Sequence, residues 1–273
     1  MTIRNEALSI VSRLRAAGCV FAEEEARLLV EAANTSAELD AMVKRRAAGL
    51  PLEHVVGWAE FCGLRIAVDA GVFVPRPRSA FLVGQAAALA REGAVAVDLC
   101  CGSGALGAAL AAVCERLELH AADIDPAAVR CAQRNVAPFG GSVYEGDLYA
   151  PLPARLQGRV DILIANAPYV PTEAIGLLPP EARLHEARMA LDGGADGLDI
   201  QRRIASEAGC WLAPGGRLLV ESSERQAPLS AEIFASAGLT PKIVRCDEWD
   251  ATVVIGTHTA ASPLHITKKG DWQ

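Results

Sequence analysis

Apolar residues in the first fifty positions recur at three- and four-residue spacing. Leu8, Val11 and Leu14 form one stripe, and Ala22, Ala26, Leu29, Val30 and Ala33 a second, so both segments are expected to be helices. Thr35-Ser36-Ala37-Glu38 spells a capping box, with Leu39, Met42 and Val43 following on one face and Gly49 and Pro51 as the stop. Residues 1–50 therefore read as a small helical bundle. Between His54 and Val74 the period falls to two: Leu64, Ile66 and Val68 alternate, and Gly57 and Gly63 break the run. This predicts a β-hairpin linker over 51–77. Pro75-Arg76-Pro77 then stiffens the chain ahead of a helix spanning about Ser79–Ala90.

From there strands and helices alternate. Ala94–Leu99, Leu117–Asp123, Val143–Glu145 and Val160–Ala165 read as strands. Leu106–Val113, a segment opened by Pro126, and Gly197–Leu212 read as helices. Pro214-Gly215-Gly216 is expected to turn into a strand at Arg217–Glu221. Leu239–Arg245 and Ala251–Gly256 are joined closely enough to be an antiparallel pair. The alternation implies an α/β fold, a doubly wound and mostly parallel sheet, over 78–258, and a loosely held tail over 259–273.

Composition narrows the function. At 273 residues with 51% hydrophobic and 22% charged positions, the chain is long enough to fold without disulfides or metal. A net charge of −7 argues against a surface built for duplex nucleic acid. The eight cysteines show no C-x-x-C spacing, and the five histidines are dispersed, so no metal site is expected. Scattered cysteines suit a reducing cytoplasm. The N-terminus lacks the apolar core of a signal peptide, and no uncharged apolar run reaches membrane-spanning length.

Two segments carry chemistry. The strand ending at Asp98-Leu99 runs into Cys100-Cys101-Gly102-Ser103-Gly104-Ala105-Leu106-Gly107, a G-x-G-x-x-G loop, and Asp123 follows where an acid would hold two ribose hydroxyls. That pattern fits NAD as well as S-adenosylmethionine. Asp98 just before the glycines, with Asp123 and Asp147 beyond, favours a cationic cofactor over a pyrophosphate. Ile124 and Leu148 beside these acids are candidate cofactor contacts. The second segment, Asn166-Ala167-Pro168-Tyr169, directly follows the strand Val160–Ala165. The Asn166 oxygen and the Ala167 carbonyl are placed to accept protons from one planar NH2 group, with Pro168 and Tyr169 packing on it. Two acceptors on those hydrogens favour a pyramidal nitrogen whose lone pair can meet a methyl group.

On these residues the chain resembles the HemK/PrmC protein-(glutamine-N5) methyltransferases, across residues 1–256. Matching elements are Pro51-Leu52 through Gly57, Phe61-x-Gly63, Val74-Pro75-Arg76-Pro77, Asp98 to Gly104 and Asp161 to Tyr169. Ala190-Leu191-Asp192-Gly193-Gly194-Ala195-Asp196-Gly197-Leu198-Asp199, Pro214-Gly215-Gly216 and Glu221 match as well. The resemblance implies a class I methyltransferase fold, a seven-stranded sheet with a C-terminal antiparallel hairpin, behind an N-terminal bundle that recognises the substrate. It implies S-adenosylmethionine as cofactor, a protein glutamine as acceptor (in that family, in the Gly-Gly-Gln loop of peptide-chain release factors), and a monomer. Departures mark a divergent member: Ala167 stands for the family's first proline, Arg78 for an acid, Ala187 for a proline after Glu186, and Cys100-Cys101 for smaller or β-branched residues. Rival readings are N-methylation of a small molecule or of a nucleic-acid base amine, an NAD-dependent oxidoreductase, and a non-catalytic cofactor-binding module.

Overall fold

The computed structural model describes residues 3–259. Helices α1 (Ile3–Ala16), α2 (Ala22–Ala32) and α3 (Ser36–Ala47) pack Ile10, Leu14, Ala26, Leu29 and Val43 into a core of their own. Thr35 caps α3, its hydroxyl accepting from the Glu38 N–H at 3.2 Å. The expected box is displaced by one residue, because the Glu38 carboxylate takes the Asn34 N–H at 2.9 Å. A short helix α4 (Leu52–Val56) corrects the reading of residues 51–77 as hairpin alone. One and a half turns are too few to display a period, and Gly57, at φ 85°, ends them in the left-handed conformation. The hairpin itself is β1 (Trp58–Phe61) against β2 (Leu64–Ala67), turned through Cys62 and Gly63. A single 3-10 turn at Pro77–Ser79 leads into α5 (Ala80–Leu89).

The remaining chain forms β3 (Val95–Leu99), α6 (Ala105–Val113), β4 (Glu118–Asp123), α7 (Pro126–Val136), β5 (Ser142–Glu145), β6 (Val160–Ala165), α8 (Pro180–His185), α9 (Asp199–Trp211), β7 (Leu212–Ser222), α10 (Ala227–Ser236), β8 (Leu239–Cys246) and β9 (Ala251–His258). The seven strands lie in the order β5-β4-β3-β6-β7-β9-β8. The first five are parallel, and β9 runs antiparallel to both neighbours. One face of the sheet packs Ala96, Ile162, Ile164 and Leu219 against α5, α6 and α7; the other packs Val97, Leu99, Leu163 and Ala165 against α9 and α10. Alternate residues of each strand thus serve opposite faces, and both faces are covered, as a parallel sheet requires. β7 starts earlier than expected. Leu212 pairs with Val160 and Arg217 with Ile162, so Ala213–Gly216 bulge out of a continuing strand rather than precede it.

β3 sends its chain to β4 on one side, while its other neighbour is β6. The crevice between the carboxyl ends of β3 and β6 is the switch point where α/β sheets bind ligands. Among the described residues no helix is long and apolar enough to cross a membrane. The tail reading for 259–273 lies outside the described residues, apart from Thr259.

Candidate active site

The glycine loop leaves β3 through Cys100 at φ 53°, Gly102 at 54° and Gly104 at 75°. Asp123, at the end of β4, braces it. Its carboxylate accepts the Gly102 N–H at 2.8 Å and the Asp125 N–H at 2.9 Å. Asn135 on α7 holds the loop from behind, donating to the Ser103 carbonyl at 2.8 Å while its amide also pairs with Ala67 of the hairpin. Linker and cofactor loop are therefore one structure.

In front of the loop lies a cavity of about 280 Å³. Gly102, Asp123, Ile124, Asp147, Leu148, Asn166 and Pro168 reach its wall, as do Phe73, Met189 and Arg203, which the sequence did not single out. A Cβ on Gly102 would find room, 4.0 Å from Phe73, so it is the left-handed backbone that calls for glycine here. Asp98 and Gly104 stand behind the wall rather than on it. Asp98 is 1% exposed and accepts the Gly107 N–H at 2.9 Å, tying the first turn of α6 to β3. Burial pushes its carboxyl up to about 7, the Gly107 N–H opposing and Asp123 adding to the shift. A Cβ on Gly104 would press on Ala132 and Val136 at 3.0 Å, so this glycine serves helix packing. Burial, first of all, also raises Asp123 above the ordinary carboxylate value, and raises the thiols of Cys100 and Cys101. These cysteines pack; they are poor nucleophiles.

An apolar sleeve edged by carboxylates suits an adenosine carrying a sulfonium and an amino group. Asp123 would hold the ribose hydroxyls, and Asp147, at 2.6 Å from Arg203, the adenine side. Among the described residues Arg203 is the single basic one on the wall and is already paired, whereas Asp123, Asp125, Asp147 and Asp192 also line it; a pyrophosphate would be repelled.

A second cavity, of about 500 Å³, adjoins the first and shares Phe73, Asn166, Pro168 and Ala190 with it. Ala167, Tyr169, Arg76 and Arg78 lie on its wall, and Leu178, Pro179 and Glu181 close it from the segment around α8. Asn166 and Pro168 thus stand between the two spaces. Neither the Asn166 oxygen nor the Ala167 carbonyl is met by a protein donor among the described residues. Behind them the loop is fixed by the 190–199 block. Gly193 donates to the Val170 carbonyl at 2.9 Å, and Gln226 donates to the carbonyls of Tyr169 and Asp196 at 3.0 and 2.9 Å. A Cβ on Gly193 would sit 2.7 Å from the Pro168 carbonyl, so the glycine is what lets the two backbones meet. Tyr169 is tied through its hydroxyl to Arg78 and to Glu221, the latter at 3.3 Å. Burial, with the Glu221 charge, pushes its pKa up to about 12 against the opposing pull of Arg78, so it stays protonated.

The departures find their partners here. Arg78 pairs with buried Glu221 at 3.0 Å. Arg76 grips Glu186 through both carboxylate oxygens at 2.7 Å. Ala187 donates its N–H to the Gly71 carbonyl at 3.1 Å, a bond a proline cannot make. Two of the histidines serve structure: His54 bonds the Val72 carbonyl at 2.8 Å, and His120 lies between Tyr144 and Glu118. No cluster that could hold a metal ion occurs among the described residues.

Sheet order, glycine loop and paired cavities together define a class I, S-adenosylmethionine-dependent methyltransferase. Residues 64–196 match the Methyltransferase small domain family. The fold is shared with a methyltransferase from Pyrococcus furiosus, at a TM-score of 0.55 and 17% identity, over 81% of this chain and 98% of that one. It is also shared with a ribosomal protein L11 methylase from Lactobacillus delbrueckii, at a TM-score of 0.51 and 16% identity, over 71% of this chain and 86% of that one. In sequence the chain is 38% identical over 199 residues to the release factor glutamine methyltransferase of Geobacter sulfurreducens, covering 72% of this chain and 69% of that protein. It is 36% identical over 260 residues to that of Deinococcus radiodurans, covering 87% and 92%. The chain belongs to the release factor glutamine methyltransferase family.

Proposed function

We propose that the second cavity receives a glutamine side chain of a protein, in a release-factor-like loop, and that its amide nitrogen is methylated. The observation that carries this is the wall between the cavities: Asn166 borders both, and beside it Ala167 borders the acceptor side. S-adenosylmethionine supplies the methyl group as an electrophile. The chain's own work is to hold the acceptor NH2 by its two hydrogens, one on the Asn166 oxygen and one on the Ala167 carbonyl. This draws the nitrogen lone pair out of conjugation and toward the cofactor cavity. Catalysis is orientation and charge stabilisation. The N-terminal bundle is read as the recognition element; it reaches the acceptor cavity through Arg46, 2.6 Å from Glu181.

The test is methyl transfer to a purified release factor, followed by peptide mass spectrometry. The methyl is expected on a glutamine side chain. In Asn166→Ala the turnover is expected to fall ~10²–10³-fold, the cost of losing one preorganised hydrogen-bond partner, while adenosylhomocysteine affinity changes little. Methyl on oxygen, sulfur, carbon or a nucleobase amine would overturn the proposal.

A further inference from the structure

Glu221, at the carboxyl end of β7, is 2% exposed and receives three side-chain donors: Ser79 Oγ at 2.5 Å, Arg78 Nε at 3.0 Å and the Tyr169 hydroxyl at 3.3 Å. Ser79 is fully buried where the Pro77–Ser79 turn enters α5. Its oxygen lies 3.4 Å from Asn166 Nδ2. Of these residues the sequence marked Asn166 and Tyr169 as catalytic, and not Ser79, Arg78 or Glu221.

We infer that Ser79 and Glu221 are positioning residues that set which way the Asn166 amide faces, so that its oxygen is presented to the acceptor nitrogen. A hydroxyl has one proton, and a carboxylate in an ion pair can only accept. Ser79 therefore gives its proton to Glu221 and turns only lone pairs toward Asn166. The nitrogen end of the Asn166 amide is attracted to those lone pairs; the oxygen end is repelled. Which end of an asparagine amide is oxygen follows from its hydrogen-bond network, and here one direction alone satisfies every partner. The opposite flip would face the acceptor's NH2 with another NH2 and abolish the clamp. Arg78 supplies the charge that balances buried Glu221, which gives the basic residue at this position a role. The inference rests on the amide-clamp reading above, but the orientation itself can be measured without it.

The first measurement is NMR of the Asn166 side-chain NH2 in the full-length protein with adenosylhomocysteine. Slow hydrogen exchange of that group is expected in the wild type and in Ser79→Thr, and fast exchange in Ser79→Ala. Equal exchange in all three would overturn the inference whatever the substrate. The second is kinetic, with a purified release factor as acceptor. Ser79→Ala is expected to lower kcat ~10–100-fold, the scale of one unmade buried hydrogen bond, with acceptor KM and adenosylhomocysteine affinity little changed. Ser79→Thr should recover most of that loss. In an Asn166→Ala background, Ser79→Ala should cost less than about twofold, because residues acting as one unit are non-additive. A full additional loss there would refute the relay while leaving the clamp standing, and an unimpaired Asn166→Ala would remove both. If Ser79→Ala does not fold, isosteric Ser79→Cys, a weak acceptor, should show the same loss; an undiminished kcat in it would overturn the relay.

Discussion

Asp98 is neutral over much of the acidic range. Burial, against the Gly107 N–H and with Asp123 adding to it, raises its carboxyl from 3.8 to about 7. Between those values the folded protein holds a proton that the unfolded chain has released, so stability falls as pH rises through that window. Asp123 shifts in the same direction, also chiefly by burial. Asp98→Asn keeps an oxygen for the Gly107 N–H and removes the titration. Its melting temperature should gain on the wild type steadily from pH 4 to 7; parallel curves would disprove the account. Asp123→Ala should weaken adenosylhomocysteine by ~1–3 kcal/mol in calorimetry, from unpaired ribose hydroxyls. At this scale the sequence was legible where a candidate residue directly follows or ends a strand, as at Asn166 and Asp123, which both reach the cavity wall. Glu221 stood out only as a family match, and its pairing with Ser79 stayed hidden because the two are 142 residues apart and meet only through the fold. The same holds for Gln226, 57 residues from the carbonyl it clamps.

Secondary elements repeat the lesson with different physics. Helices and strands with a full period or a capping residue were visible, among them α2, α3, β3 and β6. The helix Leu52–Val56 was not, being too short, and the bulge at Ala213–Gly216 looked like a strand start because Pro and Gly usually mark ends. Gly216 is there because a Cβ would come 2.6 Å from the Val160 carbonyl. Two predictions belong to this scale. Thr35→Ala should cost about 1 kcal/mol by removing the cap of α3. Arg46→Met should cost ~3–5 kcal/mol in denaturant titration, because Glu25, 8% exposed, loses the guanidinium that meets both its oxygens. Glu181→Gln, breaking only the half-exposed arm of the same arginine, should cost far less. Equal losses would mean that the bundle is held mainly through the α8 segment.

For the molecule as a whole, the sheet order has a consequence for the sequence of events by which the protein is made. The last described strand, β9, does not lie at an edge: it fills the gap between β7 and β8, pairing with both. Residues 3–246 can be synthesised in full while β7 still has an open flank and β8 has no partner strand at all. A ribosome that has just finished β8 therefore carries a chain with exposed apolar ladder positions, and such unpaired edges invite association with other chains. The final strand acts as a keystone, locking into place only when it emerges. Stopping translation before Ala251 should yield aggregated protein, whereas supplying residues 251–258 as a separate peptide during refolding should rescue some of it. Soluble, cooperatively melting protein from the shortened chain alone would show that the parallel half assembles without waiting for its last piece.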